Sequence, residues 1–166
     1  MSNSNKNLKF ENIIVEAKAN ELYTEFTTTI KLTNLSNDKV ELNLSIPLEK
    51  NTVFQNFEAK KGEEKIISKV YKKEKAEEKY SDSTAQGNNA FLTKMSDSGK
   101  SIDVFLGNLE VKQDFEIKLF SLQLNYTSDK SICFSYTPAS LPCISGFNLN
   151  NEFTSSAIGV QLHSLL

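Results

Sequence analysis

The chain has 166 residues, a net charge of −2 and a hydrophobic fraction of 39%. These values are typical of one soluble globular domain, which at this size buries roughly 70% of the surface of its unfolded chain. All 19 basic residues are lysines. Because the planar guanidinium group that grips phosphates and base edges is absent, the composition argues against nucleic acid as a partner.

The N-terminal segment "MSNSNKNLKF" is polar, whereas a secretory signal needs an apolar stretch of about 7 to 15 residues. No window approaches the roughly 18 consecutive apolar residues of a membrane span. We therefore expect a cytoplasmic protein without a membrane span, with a disordered lead at residues 1–7 and a single domain at residues 8–166. Cys133 and Cys143 are then expected to be thiols, with a disulfide as the alternative.

Alternating hydrophobicity predicts strands through most of the chain. The first two lie at residues 8–19 and 22–33, and three more follow in "VELNLSI", "TVFQNFEAK" and "EKIISKVYK". Later candidates are "AFLTKMS", "SIDVFLGNL", "DFEIKLFSLQLNY", "SICFSYTP" and "SSAIGVQLHSLL". About nine to eleven short strands separated by turn residues predict an all-β fold, an antiparallel β-sandwich.

One segment departs from this alternation. Residues 72–84 consist of helix formers, and Ala76 and Tyr80 lie four positions apart on one helical face. Gly87 follows at a position where a left-handed residue would close the helix. Because a three-turn helix is marginal alone in water, we expect it to cap the sandwich, with Tyr80 as its buried anchor.

The sequence contains near-matches to catalytic and metal-binding motifs, but each lacks a required residue or spacing. The "SGKS" segment at 98–101 lacks the earlier glycine of a phosphate-binding loop, because Lys94 stands there. Gly99 also takes the place of the first serine of a D-x-S-x-S metal site. His163 is the single histidine, and the adjacent glutamates of each pair, at 63–64 and 77–78, point apart. We predict no catalytic residue, no cofactor and no metal.

Three stretches carry an ordered set of residues: "FEAKKGEEKIISKVYKK", "KAEEKYSDSTAQGNNAFL" and "VFLGNLE". Through this set the segment from Val53 to Tyr126 resembles the VIT domain, the vault protein inter-alpha-trypsin module. The signature positions are Phe57, Gly62, Ala76, Tyr80, Gln86, Gly87, Ala90, Phe105, Gly107 and Asn108.

The resemblance implies a β-sandwich that serves as a non-enzymatic protein-interaction or scaffolding module, usually just N-terminal to a von Willebrand A domain. It implies packing and turn roles for the signature positions, and a protein partner such as an A domain in the same or another chain. Two alternatives stay open. One is a sandwich that binds a glycan or lipid, suggested by the 11 Phe and 5 Tyr, although the chain has no Trp. The other is a hydrolase whose groups converge over long range.

Overall fold

The computed structural model describes residues 8–67, 69, 71–128, 131–134 and 149–155. Within these ranges the chain forms strands and one helix, α1. In chain order the elements are β1 Leu8–Ala19, β2 Tyr23–Asn34, β3 Val40–Pro47, β4 Thr52–Lys61, β5 Glu64–Ile67, α1 Lys73–Ala85, β6 Ala90–Met95, β7 Ser101–Leu109, β8 Asp114–Leu124, β9 Tyr126–Ser128, β10 Ser131–Cys133 and β11 Leu149–Ser155.

The strands form two larger sheets and one small ribbon. The six-stranded sheet has the order β11-β1-β2-β8-β4-β5, and the three-stranded sheet has the order β3-β7-β6. Every pairing among β1 to β8 is antiparallel. The predicted β-rich fold with antiparallel sheets and one helix is therefore confirmed.

The antiparallel body contains eight strands, β1 to β8, rather than the nine to eleven that alternation predicted. The difference lies in the C-terminal part, where β9 and β10 have three residues each and pair only with each other among the described strands. Strand β11 joins the edge of the large sheet in parallel to β1, a pairing that alternation does not reveal. The strand predicted at 155–166 lies almost entirely outside the described residues, as do the N-terminal lead, Cys143 and His163.

The hydrophobic core follows from the two-residue period of the strands. Buried apolar side chains of both larger sheets belong to one cluster. The large sheet contributes Ile30 from β2 and Ile117 from β8, and the small sheet contributes Leu44 from β3 and Val104 from β7. Because a slip of one residue would turn a whole strand's apolar set to solvent, this shared cluster determines the register of each strand.

The helix ends with a left-handed glycine. Gly87 has a φ of 76°, its N–H donates to the carbonyl of Thr84 at 3.0 Å, and the N–H of Asn88 donates to the carbonyl of Ser83 at 3.0 Å. These two bonds are those of the Schellman motif, which satisfies carbonyls that the end of a helix leaves without partners.

The helix contacts β6 and β7. The sequence had predicted instead that it would cap the sandwich. None of its residues is fully buried, and Tyr80 is half-buried. Tyr80 thus contacts the sheet but is less covered than a fully buried anchor would be. The helix lies against the outward face of β7, where the small residue Gly107 leaves room for its backbone to approach.

Candidate functional site

Gly107 forms the seat on which the helix lies. This residue is buried in β7. A Cβ atom added there would lie 3.0 Å from the Tyr80 hydroxyl oxygen and would overlap Cγ2 of Thr84. Only a residue without a side chain therefore permits this approach of the helix to the sheet.

Asn108 holds the C-terminal end of the helix. Its backbone is left-handed, with a φ of 53°. Its side-chain Nδ2 donates to the carbonyls of Thr84 at 2.8 Å and Asn88 at 3.0 Å. The ammonium group of Lys39 donates to the carbonyl of Gly87 at 2.7 Å, where the negative end of the helix dipole favours a cation. Gly107 and Asn108 thus act together: one admits the helix and the other binds its end.

Tyr80 packs its ring edge-to-face against Phe105, with 6.3 Å between ring centroids. Desolvation raises the pKa of the Tyr80 phenol, and the nearby Glu41 carboxylate raises it further. Because the shift is upward from an ordinary value of 10, Tyr80 is a neutral phenol near pH 7 and is poorly suited to be a nucleophile. On the same face, Lys94 lies 4.8 Å from the Phe105 centroid and 3.2 Å from the Glu77 carboxylate.

The structure brings most of the remaining signature positions to the same region. Phe57 is buried in β4, and its ring centroid lies 6.2 Å from that of Phe91. Ala90 is buried opposite Gly107, and Ala76 lies half-buried on the helix. Two signature positions are exposed and do not pack in this region. Gly62 is an exposed turn residue between β4 and β5 with a φ of 57°, and Gln86 is an exposed residue that ends the helix.

Beside this seat the helix, β6 and the β4–β5 hairpin enclose a groove of about 520 Å³. We call it the edge groove, because it lies where edge strands of the two larger sheets come together. Its apolar lining includes Phe54, Phe57, Ile66, Tyr71, Tyr80 and Phe91. The Phe57–Phe91 pair joins one sheet to the other within this lining.

Both sheet edges at the groove lack a partner strand within the described ranges. β6 pairs with β7 on one side, and no described strand pairs with its other side. β5 pairs with β4 only from Glu58 to Lys61, so residues 52–57 of β4 pair with β8 alone. Within the described ranges, these edges therefore carry peptide groups that no strand pairs with.

The charged residues that line the edge groove are both lysines, Lys69 and Lys79. The ammonium group of Lys79 lies 5.2 Å from the centroid of the Tyr71 ring, which is a cation–π distance. Across the described part of the chain, neither lysine has a carboxylate within 4.0 Å. The rim therefore carries positive charge that no described carboxylate neutralises at close range.

Sequence reasoning missed this groove, although a signal was present. Ile66 and Ile67 are consecutive apolar residues on a short strand, and Ile67 is 57% exposed. Consecutive apolar residues in a strand that has one buried face leave one of them on the outside. Which elements enclose them could not be deduced, because the helix and β6 lie far away in sequence.

Among the residues that the structure describes, no group of three or more His, Cys, Asp or Glu is placed to hold a metal ion. In the same ranges no helix is long and apolar enough to cross a membrane.

The chain matches the family model described as the vault protein inter-alpha-trypsin domain over residues 10–120. The chain belongs to this family, the VIT domains. This agrees with the resemblance that the sequence motifs indicated.

Two relatives carry a von Willebrand factor A domain in their names. One, a von Willebrand factor A domain-containing protein of Dictyostelium discoideum, is 31% identical over 119 residues, which are 72% of this chain and 13% of the relative. The other, von Willebrand factor A domain-containing protein 5A of Rattus norvegicus, is 24% identical over 167 residues, which are 97% of this chain and 20% of the relative. The chain thus spans a fifth or less of the length of these relatives.

Among solved structures, the full-length major pilin SpaD from Corynebacterium diphtheriae matches 70% of this chain and 26% of its own, with a TM-score of 0.42 and 15% identity. A likeness at this level carries no inference about function.

Proposed function

We propose that this chain is a non-enzymatic protein-interaction module that docks a protein partner, and that the partner is a von Willebrand A domain in the same or another chain. Membership of the VIT family and the names of the relatives support this proposal. A cytoplasmic location and a β-sandwich arrangement of the two larger sheets belong to the same proposal. The single core cluster that both sheets share supports the sandwich.

The edge groove is the observation that carries the proposal. Ile67 and Tyr71 line it and are 57% and 40% exposed. Contiguous apolar surface rimmed by polar residues is typical of protein-interaction sites. The open edges of β5 and β6 beside it add peptide groups that another chain can bind. The groove thus combines apolar contact with backbone hydrogen bonding.

Calorimetric titration with an A domain tests the proposal. The A domain of the 31% identical Dictyostelium relative is expressed separately and titrated into the chain. We expect saturable 1:1 binding tighter than about 100 μM, which corresponds to roughly −5.5 kcal/mol. Absence of binding up to that concentration, with this domain and with the rat A domain, would overturn the assignment of the partner.

A small apolar ligand such as a lipid is the second candidate. The groove volume of about 520 Å³ lies within the roughly 300 to 1,000 Å³ of small-ligand sites. Several Phe and Tyr rings line it, while the absence of Trp makes a sugar a poorer fit than an acyl chain. A rise in melting temperature with fatty acids but not with an A domain would favour this candidate over the first.

A further inference from the structure

We propose that the edge groove binds an extended segment of the protein partner in which apolar and acidic side chains alternate, and that this segment adds as a strand to the free edge of β6. The proposal rests on the proposed function, because it takes the partner to be a protein. It goes further by naming the surface, the conformation of the bound segment and its charge.

β6 is the edge best suited to accept a strand. Its six residues pair with β7 in unbroken register, from Ala90 opposite Gly107 to Met95 opposite Ile102. Every second residue of β6 therefore directs its N–H and carbonyl groups away from β7, and no bulge interrupts this series.

The other two strands with an unpaired side at the groove, β4 and β5, are less suited to accept a partner strand. The register of β4 against β8 shifts between Phe54 and Asn56. A bulge of this kind twists an edge and discourages further pairing. β5 has only four residues, which allows few backbone hydrogen bonds. The incoming segment is therefore assigned to β6.

The apolar part of the groove matches one face of an added strand. Phe91 on β6 and Phe57 on β4 meet with ring centroids 6.2 Å apart, and Phe54 and Ile66 lie beside them in the same lining. Because successive side chains of a strand point to opposite faces, every second residue of the segment would contact these rings. Apolar residues at alternate positions are thus required.

The rim selects the charge of the segment. Lys69 and Lys79 are the charged lining residues of the groove. Lys79 and Lys75 both lie near the Tyr71 ring, at 5.2 and 6.0 Å from its centroid. Acidic side chains on the partner would complement this charge and suppress basic segments.

A second depression, on the large sheet, differs from the edge groove in how its charges are compensated. Its lining contains as many glutamates as lysines, and two of these lysines lie within 4.0 Å of glutamates: Lys65 is 3.0 Å from Glu58 and Lys118 is 3.6 Å from Glu116. Charge in that depression is compensated within the chain itself. The edge groove is therefore the better candidate for a charged partner segment.

Three labelled peptides test the mode of binding by fluorescence anisotropy. The first is a decapeptide that alternates Val and Glu, the second replaces every Glu with Lys, and the third is the Val/Glu peptide N-methylated along both edges, so that it cannot pair in either strand direction. We expect the first to bind, the second to bind at least about tenfold more weakly, and the third not to bind, since methylation removes the donors that pair with a strand. Failure of the Val/Glu peptide to bind, or equal binding of all three, would overturn the proposal.

Paired variants test the location. Lys69→Glu with Lys79→Glu should weaken the Val/Glu peptide at least about tenfold, which is about 1.4 kcal/mol. The matched control is Lys18→Glu with Lys100→Glu, which makes the same change in net charge at exposed residues outside the groove lining. Melting temperatures verify that both pairs fold. Equal weakening by the two pairs would show general electrostatic attraction and contradict the proposal.

The same variants separate this proposal from the proposed function. If an A domain binds and its affinity is unaffected by Lys69→Glu with Lys79→Glu, the edge groove is not the binding surface, but the chain is still a protein-interaction module. If no A domain binds but binding of the Val/Glu peptide depends on its charge and on Lys69 and Lys79 as expected, the edge groove is a binding surface and the partner is not an A domain.

Discussion

Gly107 shows at the scale of one residue why a family signature can be structural. The absence of a side chain at this position lets Tyr80 and Thr84 reach the sheet. The next residue, Asn108, then binds the helix end through its amide. Both effects require contact between the end of the helix and the end of β7, which are more than 20 residues apart in sequence. The sequence motif therefore identified Gly107 and Asn108 but not the helix residues that they contact.

Gly107→Ala is expected to lower stability by about 1 to 3 kcal/mol, because the new methyl group overlaps Thr84 and displaces the helix. Thermal and urea unfolding measure this loss. The matched double variant adds Thr84→Ser, which removes the overlapping methyl group while keeping the hydroxyl that donates to the Tyr80 carbonyl at 2.9 Å. The double variant should recover part of the loss; no recovery would mean that the helix is not seated on this residue.

Tyr80→Ala is expected to cost about 1 to 3 kcal/mol, less than the roughly 3 to 5 kcal/mol for a fully buried aromatic ring. The reason is that Tyr80 is half-buried and loses mainly its contact with Phe105. Tyr80→Phe keeps that contact and should be nearly neutral at pH 7. Urea unfolding of both variants measures the difference. A loss as large for Phe as for Ala would show that the hydroxyl, rather than the ring, stabilises the helix.

The raised pKa of Tyr80 predicts a pH dependence of stability. Burial and Glu41 raise the pKa in the folded state above its ordinary value of 10. Because the folded state holds this proton more tightly, the contribution is fully present below pH 10 and is lost as the pH rises through the folded pKa. The stability of Tyr80→Phe minus that of the parent should therefore increase above pH 10. Urea unfolding at pH 8 and about pH 11 tests this, and a constant difference would contradict it.

At the scale of elements, the position of the helix could be predicted and its packing could not. Its bounds, 73–85, differ by one residue from the predicted 72–84, because helix propensity and Gly87 act locally. Packing against β6 and β7 depends on Gly107, which is remote in sequence. The parallel pairing of β11 with β1 is likewise a long-range choice that alternation cannot indicate.

The C-terminal end of the helix should loosen when Asn108 is replaced. Asn108→Ala removes two hydrogen bonds, and at a φ of 53° it replaces Asn, whose short polar side chain tolerates the left-handed region, with a residue that does not, so we expect a loss of about 1 to 3 kcal/mol. Asn108→Gly loses the same bonds but tolerates the backbone, and it should be less harmful at the helix end. Hydrogen exchange of the helix amides measures both variants. Unchanged exchange in Asn108→Ala would contradict the role of this side chain.

At the scale of the whole molecule, the family could be recognised from sequence motifs, and the β-rich class followed from alternation. The edge groove could not be predicted, because it is formed by β4, β5, β6 and the helix together. Each element contributes only a few apolar residues, some buried and some exposed, and such residues are ordinary when seen singly. Only their arrangement in space distinguishes a groove from scattered exposed side chains.

Hydrogen–deuterium exchange of the chain with and without a saturating A domain shows whether a partner strand adds to the edge of β6. We predict that every second amide of β6, Ala90–Met95, namely each whose N–H points away from β7, becomes at least about tenfold better protected, because a bound strand accepts its hydrogen bond. Amides of β3, Val40–Pro47, which lies at the opposite edge of the same sheet, should be unchanged. Protection of β3 without protection of β6 would show that the partner binds at the opposite edge of the small sheet and not at the edge groove.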